Sequence, residues 1–124
     1  MSKKFFTYLS LVFFILMSSA LTLQGQATLV SDKADYAPGT TAIFTGSGFQ
    51  PGEQVKLLVL HYDGTSDGGA DHQPWMVTAD ASGNFVTTWH VCEDDCLGST
   101  LRATADGQVS GLHAEAVFTD ANVT

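Results

Sequence analysis

From residue 28 onward, hydrophobic and polar positions alternate in short runs, and no long stretch has the spacing of an amphipathic helix. Clusters of Gly, Pro, Asp and Ser separate these runs at intervals of about 8–15 residues. The pattern predicts seven β-strands, at residues 28–31, 41–45, 54–62, 75–78, 85–91, 100–105 and 113–119. Seven short strands with hairpin-length connections predict an all-β fold, an immunoglobulin-like antiparallel β-sandwich.

Two strands stand out by composition. Residues 54–62 (QVKLLVLHY) are apolar at odd and even positions alike, so this strand is expected to be central or covered on its outer face. Residues 85–91 carry Trp89 in mid-strand, where a large ring is best accommodated in the core. Tyr36, before a Pro-Gly turn, is expected to pack its ring over one end of the sandwich.

The N-terminal segment differs from the rest of the chain. Lys3 and Lys4 precede an apolar run from Phe5 to Met17, and small residues follow it. This layout is typical of a secretory signal peptide, and the run falls short of the roughly 20 apolar residues of a spanning helix. We expect a signal peptide at 1–27, cleaved after Ala27 or alternatively after Ala20, and one domain at 28–124. The mature chain is then secreted or at the cell surface and does not insert into the membrane.

The charge balance excludes some partners. The whole chain has a formal net charge of −8, and removal of Lys3 and Lys4 with the signal peptide takes it to −10. Only Lys33, Lys56 and Arg102 remain as cations after residue 27. Nucleic-acid binding needs a basic patch that neutralises phosphates, so we expect no nucleic-acid partner.

Two segments resemble a known kind of domain. Residues 31–41 (SDKADYAPGTT) and 103–120 (ATADGQVSGLHAEAVFTD) resemble the start and end of the immunoglobulin-like repeats of large secreted or surface-attached bacterial proteins. The resemblance extends over about residues 28–120. It implies a structural or adhesive unit, commonly followed by further domains, and leaves open whether this chain is a fragment or a single-domain member.

The stretch HVCEDDC, residues 90–96, holds both cysteines of the chain. Oxidising compartments favour a disulfide between Cys92 and Cys96, and the four residue steps between them must then turn tightly. Zinc bound by the cysteines and His90 is an alternative, as are free thiols. Three acidic neighbours would raise a thiol pKa, which argues against a reactive cysteine. We therefore expect a disulfide and no metal at this loop.

Residues 61–75 (HYDGTSDGGADHQPW) form a polar, Gly-rich loop region. Its carboxylates at Asp63, Asp67 and Asp71, next to His72, are a candidate Ca²⁺ site because Ca²⁺ prefers oxygen ligands. The spacing does not match an EF-hand. A solvated loop whose aspartates only form turns is the simpler interpretation, so Ca²⁺ is kept as a candidate and no other cofactor is expected.

Aromatic residues beside this loop suggest a second binding mode. Trp75, Tyr62 and Phe49 lie next to predicted loops and could stack on sugar rings if their faces are exposed. Apolar anchors under loops explain these aromatic residues equally well. The four histidines have no Gly-x-Ser-x-Gly elbow beside them, and no nucleotide-binding loop is present. We therefore expect no enzymatic activity.

Together these features predict a non-catalytic, secreted or cell-surface immunoglobulin-like module that acts as a spacer or adhesion unit. Its expected partner is an unidentified protein or glycan at the cell surface. The alternative is a carbohydrate-binding module that uses Trp75 and the 63–74 loop.

Overall fold

Two antiparallel β-sheets pack face to face in the computed structural model, which describes residues 26–64, 69–93 and 98–120. Within these residues there are seven strands and one 3₁₀ turn, Ala70–His72. The strands are β1 (Thr28–Ser31), β2 (Thr41–Ser47), β3 (Gln54–His61), β4 (Trp75–Thr78), β5 (Phe85–His90), β6 (Ser99–Gly107) and β7 (His113–Asp120).

The first sheet has the strand order β1-β2-β5 and the second β4-β3-β6-β7. All strand pairs within the two sheets are antiparallel. The predicted immunoglobulin-like sandwich is confirmed, with β1 and β4 at their predicted bounds and β6 longer at both ends. The doubly apolar strand β3 lies between β4 and β6, so it is central in its sheet, as expected.

The alternation of each strand sets one face toward the core. Val55, Leu57 and Val59 on β3 are buried, as are Leu101 and Ala103 on β6. Their sequence neighbours face outward, because successive side chains of a strand point to opposite sides of the sheet. Burial of these aliphatic side chains between the sheets supplies the main stabilisation of the fold.

Phe118 on β7 is the centre of the aromatic core. Its ring centroid lies 5.5 Å from Tyr36, 5.6 Å from Phe44 and 5.8 Å from Trp89. The contacts with Tyr36 and Trp89 are edge-to-face, an arrangement that the ring quadrupoles favour. Trp89 is therefore a core residue, as expected, and its large neighbour is Phe118.

Tyr36 closes one end of the sandwich. Its ring is buried and its hydroxyl donates to Asp32 Oδ1 at 2.5 Å, while the backbone N–H of Lys33 donates to that hydroxyl at 3.1 Å. The hydrogen bond from Tyr36, together with one from the Ile43 amide, lowers the pKa of Asp32. The tyrosine thus joins the loop before β2 to the core by both its ring and its hydroxyl.

Glycine is required at two positions by close approach. A Cβ on Gly46 would lie 2.1 Å from the Phe85 ring, directly across the β2–β5 pair. A Cβ on Gly83, which has a φ of 79°, would lie 2.2 Å from the carbonyl oxygen of Phe49. A side chain at Gly46 would displace the Phe85 ring, and one at Gly83 would clash with the Phe49 backbone.

Glu53 anchors the end of the sandwich opposite Tyr36. Its buried carboxylate accepts hydrogen bonds from the backbone amides of Gln50, Val109 and Ser110 and from the Ser110 hydroxyl. Burial opposes ionisation, but the hydrogen bonds outweigh it and lower the pKa of Glu53 from 4.5 to about 2. The loop between β6 and β7 is therefore held by one ionised side chain.

The two long sides of the sandwich are closed differently. On one side β1 approaches β7, and Asp35 forms a parallel bridge with Thr119. On the other side, Trp75 on β4 donates its indole N–H to the hydroxyl of Thr87 on β5 at 3.0 Å. Trp75 therefore links the edges of the two sheets.

The predicted signal peptide, residues 1–27, lies almost entirely outside the described residues, so the segment and its cleavage site stay predictions. Among the described residues there is no helix with the length and hydropathy of a membrane span.

Candidate functional site: the polar end of the sandwich

Three buried polar side chains and a buried cysteine lie where β3, β5 and β7 end, beside Tyr36. They are His61, His72, Cys92 and Asp120, and we call this region the polar end. Buried polar groups need compensation by hydrogen bonds or by opposite charge. The polar end is therefore the candidate functional site of the domain.

The 3₁₀ turn Ala70–His72 inserts His72 into the polar end. The Nδ1 of His72 lies 2.8 Å from the Val59 carbonyl oxygen, which can only accept, so Nδ1 carries the hydrogen. The Nε2 then faces Cys92 Sγ at 3.6 Å, and the ring centroid lies 5.0 Å from that of His61. This part of the 63–74 loop is packed against the core, unlike the solvated loop that the sequence suggested.

Asp71 holds the same 3₁₀ turn against β5 through contacts with Trp89 and His90. Its backbone carbonyl accepts the Trp89 indole N–H at 2.6 Å, and its carboxylate lies 3.2 Å from His90 Nδ1. The His90 side chain is exposed on the outer side of β5, whereas Cys92 is buried. The two residues therefore do not support the zinc alternative that combined His90 with the cysteines, because β5 ends at His90 and Cys92, beyond the strand end, is buried away from the exposed imidazole.

Cys96 lies outside the described residues, so the predicted Cys92–Cys96 disulfide stays a prediction. Cys92 itself is buried beside His72. The contact between a cysteine sulfur and a buried histidine was not predicted from the sequence.

The predicted calcium residues are only partly described. Asp63 is exposed just after β3, Asp71 is directed to His90, and Asp67 lies outside the described residues. Within 26–64, 69–93 and 98–120, no three His, Cys, Asp or Glu side chains meet in an arrangement that could hold a metal ion. Calcium binding by this loop stays a prediction.

The predicted glycan-stacking pair is not brought together on one face. Trp75 is opposite the buried Leu57 in the β3–β4 register, so its ring is directed inward and packs against the core. Tyr62 is exposed, and the Arg102 guanidinium, on the outer face of the same sheet, lies 5.3 Å from its ring centroid. The two residues fall on opposite sides of the pleat and form no joint platform, and glycan stacking by either ring stays a prediction.

Asp120 differs from the other polar residues of this end. It is 0% exposed, and neither carboxylate oxygen has a hydrogen-bond partner among the described residues. Burial, and then the negative charge of Asp35, raise the pKa of Asp120. Asp35 itself accepts a hydrogen bond from the Thr119 hydroxyl at 2.6 Å.

His113 forms a separate charged group on the outer face of the four-stranded sheet. Its Nδ1 lies 2.5 Å from Asp106 and its Nε2 2.7 Å from Glu115, and the Glu115 bond, followed by the Asp106 bond, raises the pKa of His113. Both ring nitrogens face carboxylates, so this histidine has no free nitrogen with which to activate a hydroxyl nucleophile.

The outer face of the three-stranded sheet has the opposite character. Val30, Ile43 and Val86 are 57%, 40% and 68% exposed. The outward strand positions of this sheet carry no Asp, Glu, Lys or Arg, and we call them the neutral face: Thr28, Val30, Thr41, Ile43, Thr45, Ser47, Val86, Thr88 and His90. Thr45 stands directly between Val30 and Val86 in the strand register, so a threonine separates these two valines across the sheet.

A model of the macroglobulin-like domain matches residues 24–119. The chain belongs to this family. A macroglobulin-like domain of immunoglobulin-like fold fits a non-catalytic module, and the more specific resemblance to bacterial surface repeats stays a prediction.

Solved structures place the macroglobulin-like domain among similar sandwiches. Macromomycin is 20% identical, with a TM-score of 0.60, over 77% of this chain and 99% of its own. A superoxide reductase (neelaredoxin) from Ignicoccus hospitalis is 12% identical over 81% of each chain with a TM-score of 0.46, which is too distant to indicate a shared activity. No curated protein matches the sequence.

Sequence reasoning did not predict that four polar residues, His61, Asp120, His72 and Glu53, would be buried. His61 follows Val55, Leu57 and Val59 at alternate positions of β3, so the period of two could have identified it as inward-facing. Asp120 likewise follows Phe118 by two residues. His72 and Glu53 lie in turns, where no periodic signal exists.

Proposed function

We propose that this macroglobulin-like domain is a non-catalytic module, secreted or held at the cell surface, that serves as a spacer or adhesion unit through contact with another protein. Family membership and the immunoglobulin-like fold support a module without a reaction. The proposal of secretion rests on the signal-peptide pattern of residues 1–27.

The neutral face is the observation that carries this proposal. Protein contacts bury apolar area while desolvating few charges, and charged residues are depleted at the centres of interfaces. Val30, Ile43 and Val86 supply exposed apolar area, and the β-branched threonines around them lose little rotamer freedom on binding.

Charge identifies the kind of partner. The chain has a net charge of −8, so contacts made through most of its surface bring acidic groups toward the partner. The outward strand positions of the neutral face carry no acidic residues, so a contact made there brings no carboxylate toward the partner. The expected occupant is therefore a flat protein surface of low charge on a different polypeptide, and not a basic or acidic ligand.

Site-specific photo-crosslinking on the cells that produce the full chain tests this contact. A benzophenone side chain at position 86 samples the neutral face, and the same group at Ala81, in the exposed turn between β4 and β5, is the matched control. A covalent adduct with one other polypeptide, identified by mass spectrometry from position 86 alone, is expected. Adducts from neither position, equally from both, or only with a second copy of this chain contradict the proposal.

Localisation has an independent test. The protein recovered from the medium or the cell surface is expected to begin at Thr28, or at Leu21 if cleavage follows Ala20. A mature protein that retains Met1 and remains inside the cell contradicts secretion.

A carbohydrate-binding function is the second candidate, and a recess beside Trp75 favours it. The recess has a volume of about 330 Å³ and is lined by Lys56, Pro74, Trp75, Met76 and Gln108. A half-buried indole with amide and ammonium donors around it suits a sugar hydroxyl array. Glycan-array binding that is lost in a Lys56→Ala/Gln108→Ala variant and kept in a Tyr62→Ala control would favour this function; an empty array counts against it.

A further inference from the structure

The outer face of the four-stranded sheet carries an apolar stripe that the core does not use. Leu58, Leu60 and Tyr62 occupy alternate positions on β3 and just beyond it, and they point outward because the residues between them are buried. Tyr62 is 55% exposed, and Val117 on β7, on the same face, is 52% exposed. Contiguous apolar side chains at a surface with a polar rim are typical of an interaction site.

Charged residues flank this stripe in balanced numbers. Lys56 and Arg102 lie on the same outer face as Asp106 and Glu115, and we call the outward side chains of β4, β3, β6 and β7 the mixed-charge face. It holds two of the three Lys and Arg residues after residue 27, but at its strand positions only two of the thirteen Asp and Glu residues. A second copy of this acidic chain therefore meets no excess of carboxylates here.

The strand register makes the mixed-charge face complementary to itself. Lys56 on β3 is directly opposite Asp106 on β6, and further along the same pair of strands Leu60 is opposite Arg102. A two-fold axis that runs along the sheet between β3 and β6 exchanges these two strands. Each β3 residue of one copy then faces, in the other copy, the β6 residue that it opposes in its own sheet. Lys56 of one copy meets Asp106 of the other, and this contact occurs twice.

Arg102 and Tyr62 form an anchor beside the apolar stripe. The guanidinium carbon of Arg102 lies 5.3 Å from the Tyr62 ring centroid, and its Nε lies 4.0 Å from Glu115 Oε1. Tyr and Arg are enriched among the residues that contribute most to protein interfaces. Because the ring and the carboxylate already restrict the arginine side chain, it has less rotamer freedom to lose on binding.

We propose that the mixed-charge face binds a second copy of this chain, in a two-fold dimer in which Lys56 of each copy pairs with Asp106 of the other. Strands lie about 4.8 Å apart and rise about 3.3 Å per residue, so a face of this size offers roughly 500 Å² per copy. That area is near the lower limit of specific interfaces, so the dimer is weak and forms at high local concentration. The neutral face lies on the other sheet and stays available for the partner of the proposed function.

Sedimentation equilibrium of the protein purified from the cells that produce it tests the dimer, at concentrations from about 20 µM to about 1 mM. The weight-average mass of the wild type is expected to rise with concentration toward twice the monomer mass. Lys56→Glu alone brings carboxylates together across the axis, and Asp106→Lys alone brings ammonium groups together, so each variant is expected to stay monomeric. In an equimolar mixture of the two variants both contacts regain opposite charges, and the mass is expected to rise as in the wild type.

Thr104→Arg provides a further variant should the loss of the Asp106–His113 contact prevent Asp106→Lys from folding. Thr104 points outward in the middle of β6, so a bulky side chain there is expected to keep the protein monomeric. Thr88→Arg, the same change on the neutral face, is the matched control and should dimerise as the wild type does. A wild type that stays monomeric at about 1 mM overturns the proposal. A Thr104→Arg variant that still dimerises, or a mixture of the two charge variants that stays monomeric, also overturns it.

Discussion

Glu53 and Ser110 are 57 positions apart in the chain, and the Glu53 carboxylate accepts both the amide and the hydroxyl of Ser110, at 3.0 and 2.8 Å. A Cβ on Gly107 would lie 2.7 Å from the same carboxylate, so only glycine admits it there. The end of the sandwich opposite the polar end is thus organised around one ionised side chain. This arrangement makes the loop between β6 and β7 dependent on a single group.

We predict that Glu53→Gln lowers the free energy of unfolding by about 2–3 kcal/mol. The amide retains one acceptor oxygen, but its NH₂ group would face backbone donors that the carboxylate now satisfies. Urea unfolding followed by tryptophan fluorescence measures the loss. Glu115→Gln, at an exposed position of β7, is the control and should change stability by less than about 0.5 kcal/mol. Equal effects of both substitutions would contradict the role given to Glu53.

The same residue predicts a dependence on pH. The pKa of Glu53 falls from 4.5 to about 2 on folding, so its contribution is complete above about pH 4.5 and is lost as the pH falls toward 2. Asp120 acts in the opposite sense, since its raised pKa favours the folded state at low pH and disfavours it as the pH rises. Unfolding measured from pH 5 to pH 2 should show a smaller loss of stability in Glu53→Gln than in the wild type. Parallel curves for the two proteins would count against this prediction.

The strands were predictable because their signal is local. Inward-facing residues such as Leu101, Ala103 and Ala105 alternate with polar ones, and sheet geometry converts that period of two directly into a buried face. The pairing of β6 with β7 is also recoverable, since a hairpin-length turn joins them, whereas the pairing of β6 with β3 spans β4 and β5 and has no local signal. The role of Trp75 could not be predicted from the sequence, because its inward direction depends on its register against Leu57 across a loop of irregular structure.

Thr87→Val is predicted to lower the free energy of unfolding by about 1 kcal/mol. The change keeps the shape of the side chain and removes the acceptor of the Trp75 indole N–H, which links β4 to β5. The partial exposure of Trp75 limits the loss, since water can replace the acceptor. Thr88→Val, one residue on and facing outward, is the control and should leave stability nearly unchanged. A larger effect at Thr88 than at Thr87 would contradict the link between the sheets.

The side-chain contacts at the polar end could not be predicted from the sequence for a different reason. The contact of His72 with Cys92 joins residues 20 positions apart that lie in a 3₁₀ turn and just after β5. No period or motif relates two such positions, and only the packing of the loop under Trp89 brings them together. The sequence did identify HVCEDDC as the segment to test, but it named His90 only in the zinc alternative to the disulfide and did not connect His72 with this segment.

The predicted Cys92–Cys96 disulfide has a small expected effect on stability. A ring of five residues restricts the unfolded chain little, and loop entropy gives about 2 kcal/mol. Reduction should therefore lower the Tm by about 10 °C and leave the fold intact. Intact-mass spectrometry should show that the protein purified without reductant is lighter than the reduced protein by two hydrogen atoms.

A Cys92→Ser/Cys96→Ser variant separates the bridge from other effects of reductant. It should melt close to the reduced wild type, apart from the cost of a buried hydroxyl beside His72, and should not respond to reductant. His72→Phe in the oxidised protein then tests the contact itself, because it removes Nδ1 from Val59 and Nε2 from Cys92 while retaining a ring. A lower Tm in this variant with an unchanged intact disulfide is expected, since the histidine positions the loop and the disulfide closes it independently. Complete unfolding of the wild type on reduction would show that the bridge carries far more of the stability than its ring size allows.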